Sequence, residues 1–349
     1  AARRDALIRL AQRIELNRAE LKRIAALENA TPLRIADALV TQSQEWLHYY
    51  AGWADKLEGS VSGSFVQGQD FTYSQAEPYG VIGVIVTWNV PLLSLCMKLA
   101  PALVAGNTAV VKPSEYTPFT AELFARLALE AGIPSGVINV LPGTAAAGHA
   151  LVVNRHVEKI SFTGGPATAR KIMLACAEHL KPSVMELGGK SACIVFEDAD
   201  LDAAVMNSVT MGLCALAGQA CIMGSRVLVQ ARIYDEFVER LAAAARAIPC
   251  GDPSSEQVLF GPVISEASCE RILGIIERAR VHNAGRLVSG GQRMGGEYRS
   301  GFFVEPTIFA DVDPMSELAQ QEIFGPVLSV IRFETEQQAI EIANNTVYG

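Results

Sequence analysis

"GVIGVIVTWNVPLLSLCMKLAPALVAGNTAVVKPSE", residues 80–115, decides the fold. Its first eight residues form a continuous apolar β run. Residues 91–105 read as a helix, and "TAVVK", residues 108–112, as a second strand. Residues 79–106 are long and apolar enough to raise a membrane span. Asn89 and two prolines interrupt them, however, so a buried strand, a turn and a buried helix explain the stretch better. No membrane partner is expected.

The same rhythm continues downstream. Helix 117–131 leads to the strand run "GVINVL" (136–141). A short helix at 145–153 leads to "KISFTGG" (159–165), and helix 166–179 follows. All-apolar strands alternating with helices imply a parallel sheet covered on both faces. Such sheets bind ligands at the carboxyl ends of their strands. After "VMELGGKSACIVF" (184–196) the rhythm restarts. Helix 201–216, a turn holding Cys221, strand 226–230, helices 232–247 and 265–283, strands 302–309 and 327–333, and helix 335–344 make a second α/β domain. Residues 1–57 read as helices. Residues 59–78 are rich in Gly, Ser and Gln and read as a hairpin arm. The expected organisation is therefore 1–58 with 79–188 as one domain, 59–78 as the arm, and 189–349 as the second domain.

Composition sets further bounds. At 349 residues the chain exceeds the usual single core. Its net charge of −8 and lack of a basic stripe argue against nucleic acid as a partner. The seven cysteines show no CxxC pair and no Cys/His cluster of zinc spacing, so no metal is expected. Scattered cysteines, odd in number, suit a reducing compartment, the cytoplasm. The chain opens inside a helical pattern without Met and stops just after a helix, which reads as a fragment cut at both ends.

Several junction residues carry possible chemistry. Lys112, Ser114 and Glu115 follow the second strand. There an acidic residue can accept both hydrogen bonds from an adenosine ribose, although a plain surface Lys–Glu pair explains the tetrapeptide alone better. Gly164 and Gly165 open a helix with Pro166 and no acid in its first turn, a seat for a pyrophosphate or an ordinary strand–helix turn. The GxGxxG fingerprint is absent. Asn89 follows the first strand, where its amide can donate to an oxyanion or satisfy a turn. Glu186 stands at the domain junction; burial would raise its pKa toward that of a general base, unless it is an exposed edge charge. Cys221 sits in a small-residue turn whose amides can activate a thiol, although most buried cysteines are core filler.

Taken together, "TWNVP", "KPSEYTP", "SFTGG", "MELGGKS", "GQAC" and "QEIFGPV" resemble the aldehyde dehydrogenase superfamily, in order and at similar spacings over essentially the whole chain. The resemblance implies an α/β fold: a Rossmann-like parallel-sheet cofactor domain, a second α/β catalytic domain and a β-hairpin oligomerisation arm. It implies NAD-dependent oxidation of an aldehyde to a carboxylate by the hydrolytic route. Cys221 would be the nucleophile, Asn89 an oxyanion donor and Glu186 the base that activates water. Lys112, Ser114 and Glu115 would hold the adenosine ribose, with Glu115 favouring NAD over NADP. Gly164 and Gly165 would seat the pyrophosphate, Glu322 and Phe324 would hold the nicotinamide ribose, and Trp88 and Leu187 would complete the cofactor contacts. A homodimer or homotetramer is implied.

The chain departs from the family pattern at Thr87, where Pro is usual, and the stretch before Cys221 lacks a common Asn and the common aromatics. Val90 and Met97 stand where aromatics are usual and Ile222 where a small or polar residue is common; with Ala220 they point to an apolar pocket suited to a bulky or aromatic aldehyde. Two other readings are a CoA-acylating relative, against which Glu186 argues, and a catalytically silent binding protein of the same fold.

Overall fold

The computed structural model describes residues 1–63 and 71–348. The chain divides into two compact units, Ala1–Ile24 with Asp37–Glu186, and Ala25–Ala36 with Leu187–Gly349.

In the first unit, helices α1 (Ala2–Leu16), α2 (Arg18–Asn29, its first residues) and α3 (Leu33–Ala51, from Asp37) precede a short antiparallel hairpin. Its strands β1 (Val61–Gly63) and β2 (Phe71–Tyr73) pair Val61 with Tyr73. Residues 64–70 of the expected arm lie outside the described residues. Strands β3 (Val81–Ile85), β4 (Thr108–Lys112), β5 (Ile138–Val140), β6 (Lys159–Thr163) and β7 (Ser183–Glu186) form one sheet in the order β5-β4-β3-β6-β7. Every neighbouring pair in it is parallel. The order reverses beside β3, which is the place where such sheets open a crevice at their carboxyl ends.

Helices α4 (Pro91–Val104), α5 (Pro118–Glu130), α6 (Ala145–Val153) and α7 (Pro166–Glu178) connect these strands. Val84, Val111, Leu95, Leu99 and Phe124 belong to one buried cluster. Burying each such side chain contributes about 1.5–3 kcal/mol, which is why the runs at 80–87 and 108–112 stay in the sheet interior.

In the second unit, β8 (Ala192–Val195), β9 (Arg226–Gln230), β10 (Arg286–Ser289), β11 (Thr307–Ala310) and β12 (Val327–Phe333) take the order β10-β11-β12-β9-β8. The pairs are parallel except β10 with β11. Residue alternation sends Val227 and Val229 to one cluster with Phe237 and Leu241. Leu228 goes to another with Ile272 and Ile276. Helices α8 (Leu201–Val209), α9 (Tyr234–Arg246), α10 (Glu266–Val281), α11 (Glu317–Gln320) and α12 (Glu336–Asn344) complete the unit.

The α/β class with its parallel sheet matches the sequence expectation. Local boundaries differ. Residues Ala25–Ala36 pack with the second unit although they lie inside the stretch 1–58 read as part of the first. The expected helix 201–216 ends as an α-helix at Val209, passes through a π-helical turn at Thr210–Cys214, and breaks at Leu216 and Ala217. Leu201–Gly218 is long and apolar enough to cross a membrane by length and composition, but it is half buried inside the unit. The expected strand 302–309 begins only at Thr307, because Pro306 offers no backbone donor to a ladder. β10 was not foreseen; "RLVS" is too short to carry a strand pattern.

Candidate active site

In the first unit, the sequence-predicted residues stand at or just after carboxyl ends of sheet strands, except Met97, which lies within α4. β3 ends at Ile85, and the chain runs through Trp88 and Asn89 to Pro91, the first residue of α4. Asn89 is buried, with 5% exposure. The Thr87 hydroxyl donates to its Oδ1 at 2.7 Å. Val90 and Met97 are half-buried.

On α4, Lys98 donates from Nζ to the Ser161 hydroxyl at 3.0 Å. Burial drives the Lys98 pKa down to about 8, partly offset by the carboxylate of Glu186.

β4 ends in Lys112. This lysine is buried, so a plain surface pair does not describe it. Its Nζ lies 3.1 Å from Glu115 Oε2. Burial pushes the Glu115 carboxyl up, but its backbone hydrogen bond and Lys112 outweigh this and hold it below the usual carboxylate value. Ser114 is buried and accepts from the Tyr116 amide at 3.3 Å.

After β6, Gly165 caps α7 with extended backbone, and Pro166 fills the first helical position. No side chain caps this end and no acid lies in its first turn. Backbone donors at such an end suit an anion. Gly164 donates its amide to the Glu186 carbonyl at 3.1 Å, which ties the ends of β6 and β7 together. Glu186 itself is exposed. The burial expected for it is not found, because β7 is an edge strand with no strand beyond it among the described residues.

The second unit holds the thiol. Cys221 is half-buried in a turn between Ala220, which is buried, and Ile222, which is 69% exposed. The two glycines of "ELGGKS" decide what comes near it. A Cβ on Gly188 would fall 2.0 Å from Glu322 Oε2, and one on Gly189 would fall 2.8 Å from the Cys221 carbonyl oxygen. Only glycine therefore lets the Glu322 carboxylate and the cysteine turn close onto this one dipeptide. The Gly189 amide donates to Glu322 Oε1 at 3.3 Å. Burial raises the Glu322 pKa, against the Gly189 amide and the charges of Lys190 and Arg271. Leu187, where the chain re-enters this unit, is half-buried. Phe324 adopts a left-handed backbone with φ 53°.

Three fastenings here were not read from the sequence. Buried Gln219 donates from Nε2 to the Leu216 carbonyl at 2.9 Å and accepts from the Ile264 amide at 3.0 Å. Buried Arg226 donates to the carbonyls of Lys190, Ile342 and Ala343 at 2.7, 2.8 and 2.8 Å. Arg271 donates to the Ile323 carbonyl at 2.7 Å, next to Glu322. The signals were the Gln in "GQAC" and the Arg in "GSR", polar residues set between apolar runs. Lys190 is buried as well, and its Nζ has no hydrogen-bond partner among the described residues. Burial, then the Arg226 charge, drive its pKa down to about 7, against the pull of Glu322. Among the described residues no group of three or more His, Cys, Asp or Glu could hold a metal ion.

Comparison with known proteins adds to this geometry. The family model described as "Aldehyde dehydrogenase family" matches residues 1–349. A betaine aldehyde dehydrogenase of Cereibacter sphaeroides is 42% identical over 346 residues, 98% of this chain and 70% of that protein. The crystal structure of PnpE in complex with nicotinamide adenine dinucleotide superposes with a TM-score of 0.95 at 41% identity, covering 100% of this chain and 71% of that one. A betaine aldehyde dehydrogenase of Staphylococcus aureus in complex with NAD+ superposes with a TM-score of 0.96 at 35% identity, covering 100% and 69%.

Proposed function

The chain belongs to the aldehyde dehydrogenase family, and from that premise we propose that it oxidises an aldehyde to a carboxylate with NAD through a covalent intermediate on Cys221. One observation carries the reading. Asn89, Lys112 with Glu115, Gly164 with Gly165, and Glu186 come from four different strand ends of one parallel sheet, all at its carboxyl edge.

NAD fits the residues present. Lys112 and Glu115 offer a donor and an acceptor to a ribose diol, with Ser114 beside them. The acceptor carboxylate favours NAD, since it would repel a 2′-phosphate. The uncapped start of α7 at Gly164 and Gly165 offers amides to the pyrophosphate. Glu322 and Phe324 would hold the nicotinamide ribose, and Trp88 and Leu187 would complete the cofactor contacts. When bound, NAD accepts the hydride from the substrate carbon.

The Cys221 thiolate adds to the aldehyde carbonyl, and the electron pair moves onto oxygen. The Asn89 amide and the Cys221 backbone amide donate to that oxyanion. Loss of hydride leaves a thioester. Glu186 takes a proton from water, which attacks the thioester and releases the carboxylate and the thiolate. The exposure of Glu186 leaves it open to that water.

Val90, Met97, Ala220 and Ile222 shape an apolar pocket that takes a bulky or aromatic aldehyde. The exposed apolar residues Val61, Phe71 and Tyr73 on the hairpin support its pairing with a second copy in a homodimer or homotetramer.

Rapid mixing with NAD and a panel of aldehydes tests the reading on the full-length protein. A burst of NADH is expected. Cys221→Ala abolishes it, whereas Glu186→Gln keeps the burst and loses the steady state. No burst with any aldehyde overturns the function, and turnover of short aliphatic aldehydes alone overturns the pocket assignment.

A further inference from the structure

An Asn side chain has two unlike ends, an oxygen that only accepts and an NH2 that only donates. They are nearly equal in shape, so sterics alone hardly tell them apart. A half-turn about the last torsion would present an oxygen lone pair where a donor is needed. For Asn89 to stabilise an oxyanion, something must therefore fix which way its amide faces.

Thr87 is placed to do this. Its Oγ1 lies 2.7 Å from Asn89 Oδ1. The amide oxygen cannot donate, so the threonine hydroxyl must. Asn89 is buried and Thr87 is half-buried, so bulk water competes poorly for this bond. The position is two residues before Asn89, in the irregular turn between β3 and α4, where no ladder bond constrains the side chain. Threonine's branched Cβ restricts its χ1, which keeps the hydroxyl in place. A hydrogen bond accepted at Oδ1 also polarises the amide and strengthens its N–H as a donor.

We propose that Thr87 is a positioning residue for Asn89, its hydroxyl holding the amide oxygen so that the NH2 end faces the reacting carbonyl oxygen. The proposal rests on the reading of Asn89 as an oxyanion donor. Thr87 stands where the family pattern usually has Pro, which has no hydroxyl, so this fastening belongs to the present chain rather than to the general pattern. During acylation the S–C bond forms, the carbonyl electron pair moves onto oxygen, and the Asn89 N–H donates to it. Thr87 touches no reacting atom.

Acyl transfer from p-nitrophenyl acetate tests this without NAD. The thiolate adds to the ester carbonyl, and collapse of the oxyanion expels p-nitrophenolate, which is followed by absorbance in the full-length protein. Asn89→Ala is expected to slow acylation by roughly 100-fold or more. Thr87→Val, close in shape but without the hydroxyl, is expected to lower kcat by roughly five- to tenfold with KM unchanged. Thr87→Ser restores the rate. In an Asn89→Ala background, Thr87→Val is expected to cost nothing further, because the amide it orients is gone.

An equal loss in both backgrounds overturns the positioning role, as does a loss in KM alone, an unchanged rate in Thr87→Val, or a Thr87→Ser variant as slow as Thr87→Val. Each of these leaves Asn89 as a donor. An Asn89→Ala variant as fast as the parent, or a parent that releases no p-nitrophenolate, overturns the reading beneath it instead.

Discussion

On the first unit's sheet, Asn89, Lys112, Gly164 and Glu186 each end or closely follow a regular parallel strand, whereas Cys221 follows backbone that is regular nowhere. Before the cysteine, a π-helical turn gives way to Leu216, Ala217 and Gly218, all with positive φ (53°, 51° and 70°). The loop bearing Glu322 has its own left-handed residue, Phe324. The strand-end residues of the first unit are thus presented by hydrogen-bond ladders and helix starts. The cysteine turn of the second is held in an uncommon shape by side chains reaching backbone groups. If that contrast is correct, fastenings around the cysteine should matter more to stability than individual residues at the strand ends.

The strongest way to break the contrast is Arg226→Met. It leaves the buried carbonyls of Lys190 and Ile342 and the half-buried one of Ala343 without this donor. An expected loss of about 3–5 kcal/mol would appear in urea unfolding. A loss under about 1 kcal/mol, the scale of one ordinary hydrogen bond, would mean that Arg226 is not a fastening.

Gly189→Ala comes next. Its Cβ meets the Cys221 carbonyl at 2.8 Å, and backbone lies on both sides. Overpacking of this kind costs about 1–3 kcal/mol, and displacement of the cysteine turn should lower the burst rate more than it raises KM for NAD. Unaltered kinetics would separate the glycine from the turn.

Two lysines, Lys98 half-buried and Lys190 buried, sharpen the comparison further. Lys98 in the first unit is hydrogen-bonded, whereas Lys190 in the second has no partner among the described residues. The folded pKa of Lys190, about 7, lies below its ordinary 10.5. Between those values the unfolded chain binds more protons, so stability should rise with pH across that window. Lys190→Met should flatten that rise and add roughly 1 kcal/mol at pH 7. An unchanged slope in thermal unfolding from pH 7 to pH 10 would show that Lys190 does not cause it.

The smallest expected effect is at Leu216. A left-handed leucine is strained, and Asn tolerates that conformation. Leu216→Asn should add about 0.5–1 kcal/mol, read as a higher urea midpoint. A lower midpoint would mean that Leu216's packing outweighs the strain.

What was legible in the sequence follows the same division. The apolar runs at 80–87 and 108–112 and the helix starts at Pro91 and Pro166 express backbone periodicity directly, so the first sheet and its strand-end residues could be read from spacing. The family motifs then picked Cys221 out of the seven cysteines. Left-handed Leu216 and Ala217 leave no such trace, since neither residue type favours that conformation, and a helix through residue 216 was the natural misreading. The Thr87–Asn89 bond, the grip of Arg226 and the Gly188–Glu322 approach depend on groups meeting in space, at separations from two residues to more than a hundred. Glu186 shows a different limit. Its position could be read, but whether an edge strand buries it depends on what lies beyond the edge.

The placement of Ala25–Ala36 in the second unit bears on the order in which the protein can be made. The Leu33 amide donates to the Pro253 carbonyl at 3.2 Å, closing a link across more than two hundred residues. This short segment leaves the ribosome early and must wait for most of the chain before it finds its seat, while the residues on either side of it belong to the earlier unit. Such a long-range closure slows folding. A chain beginning at Leu187 would be synthesised without one of its own pieces, and adding residues 25–36 as a separate peptide should speed its recovery from denaturant.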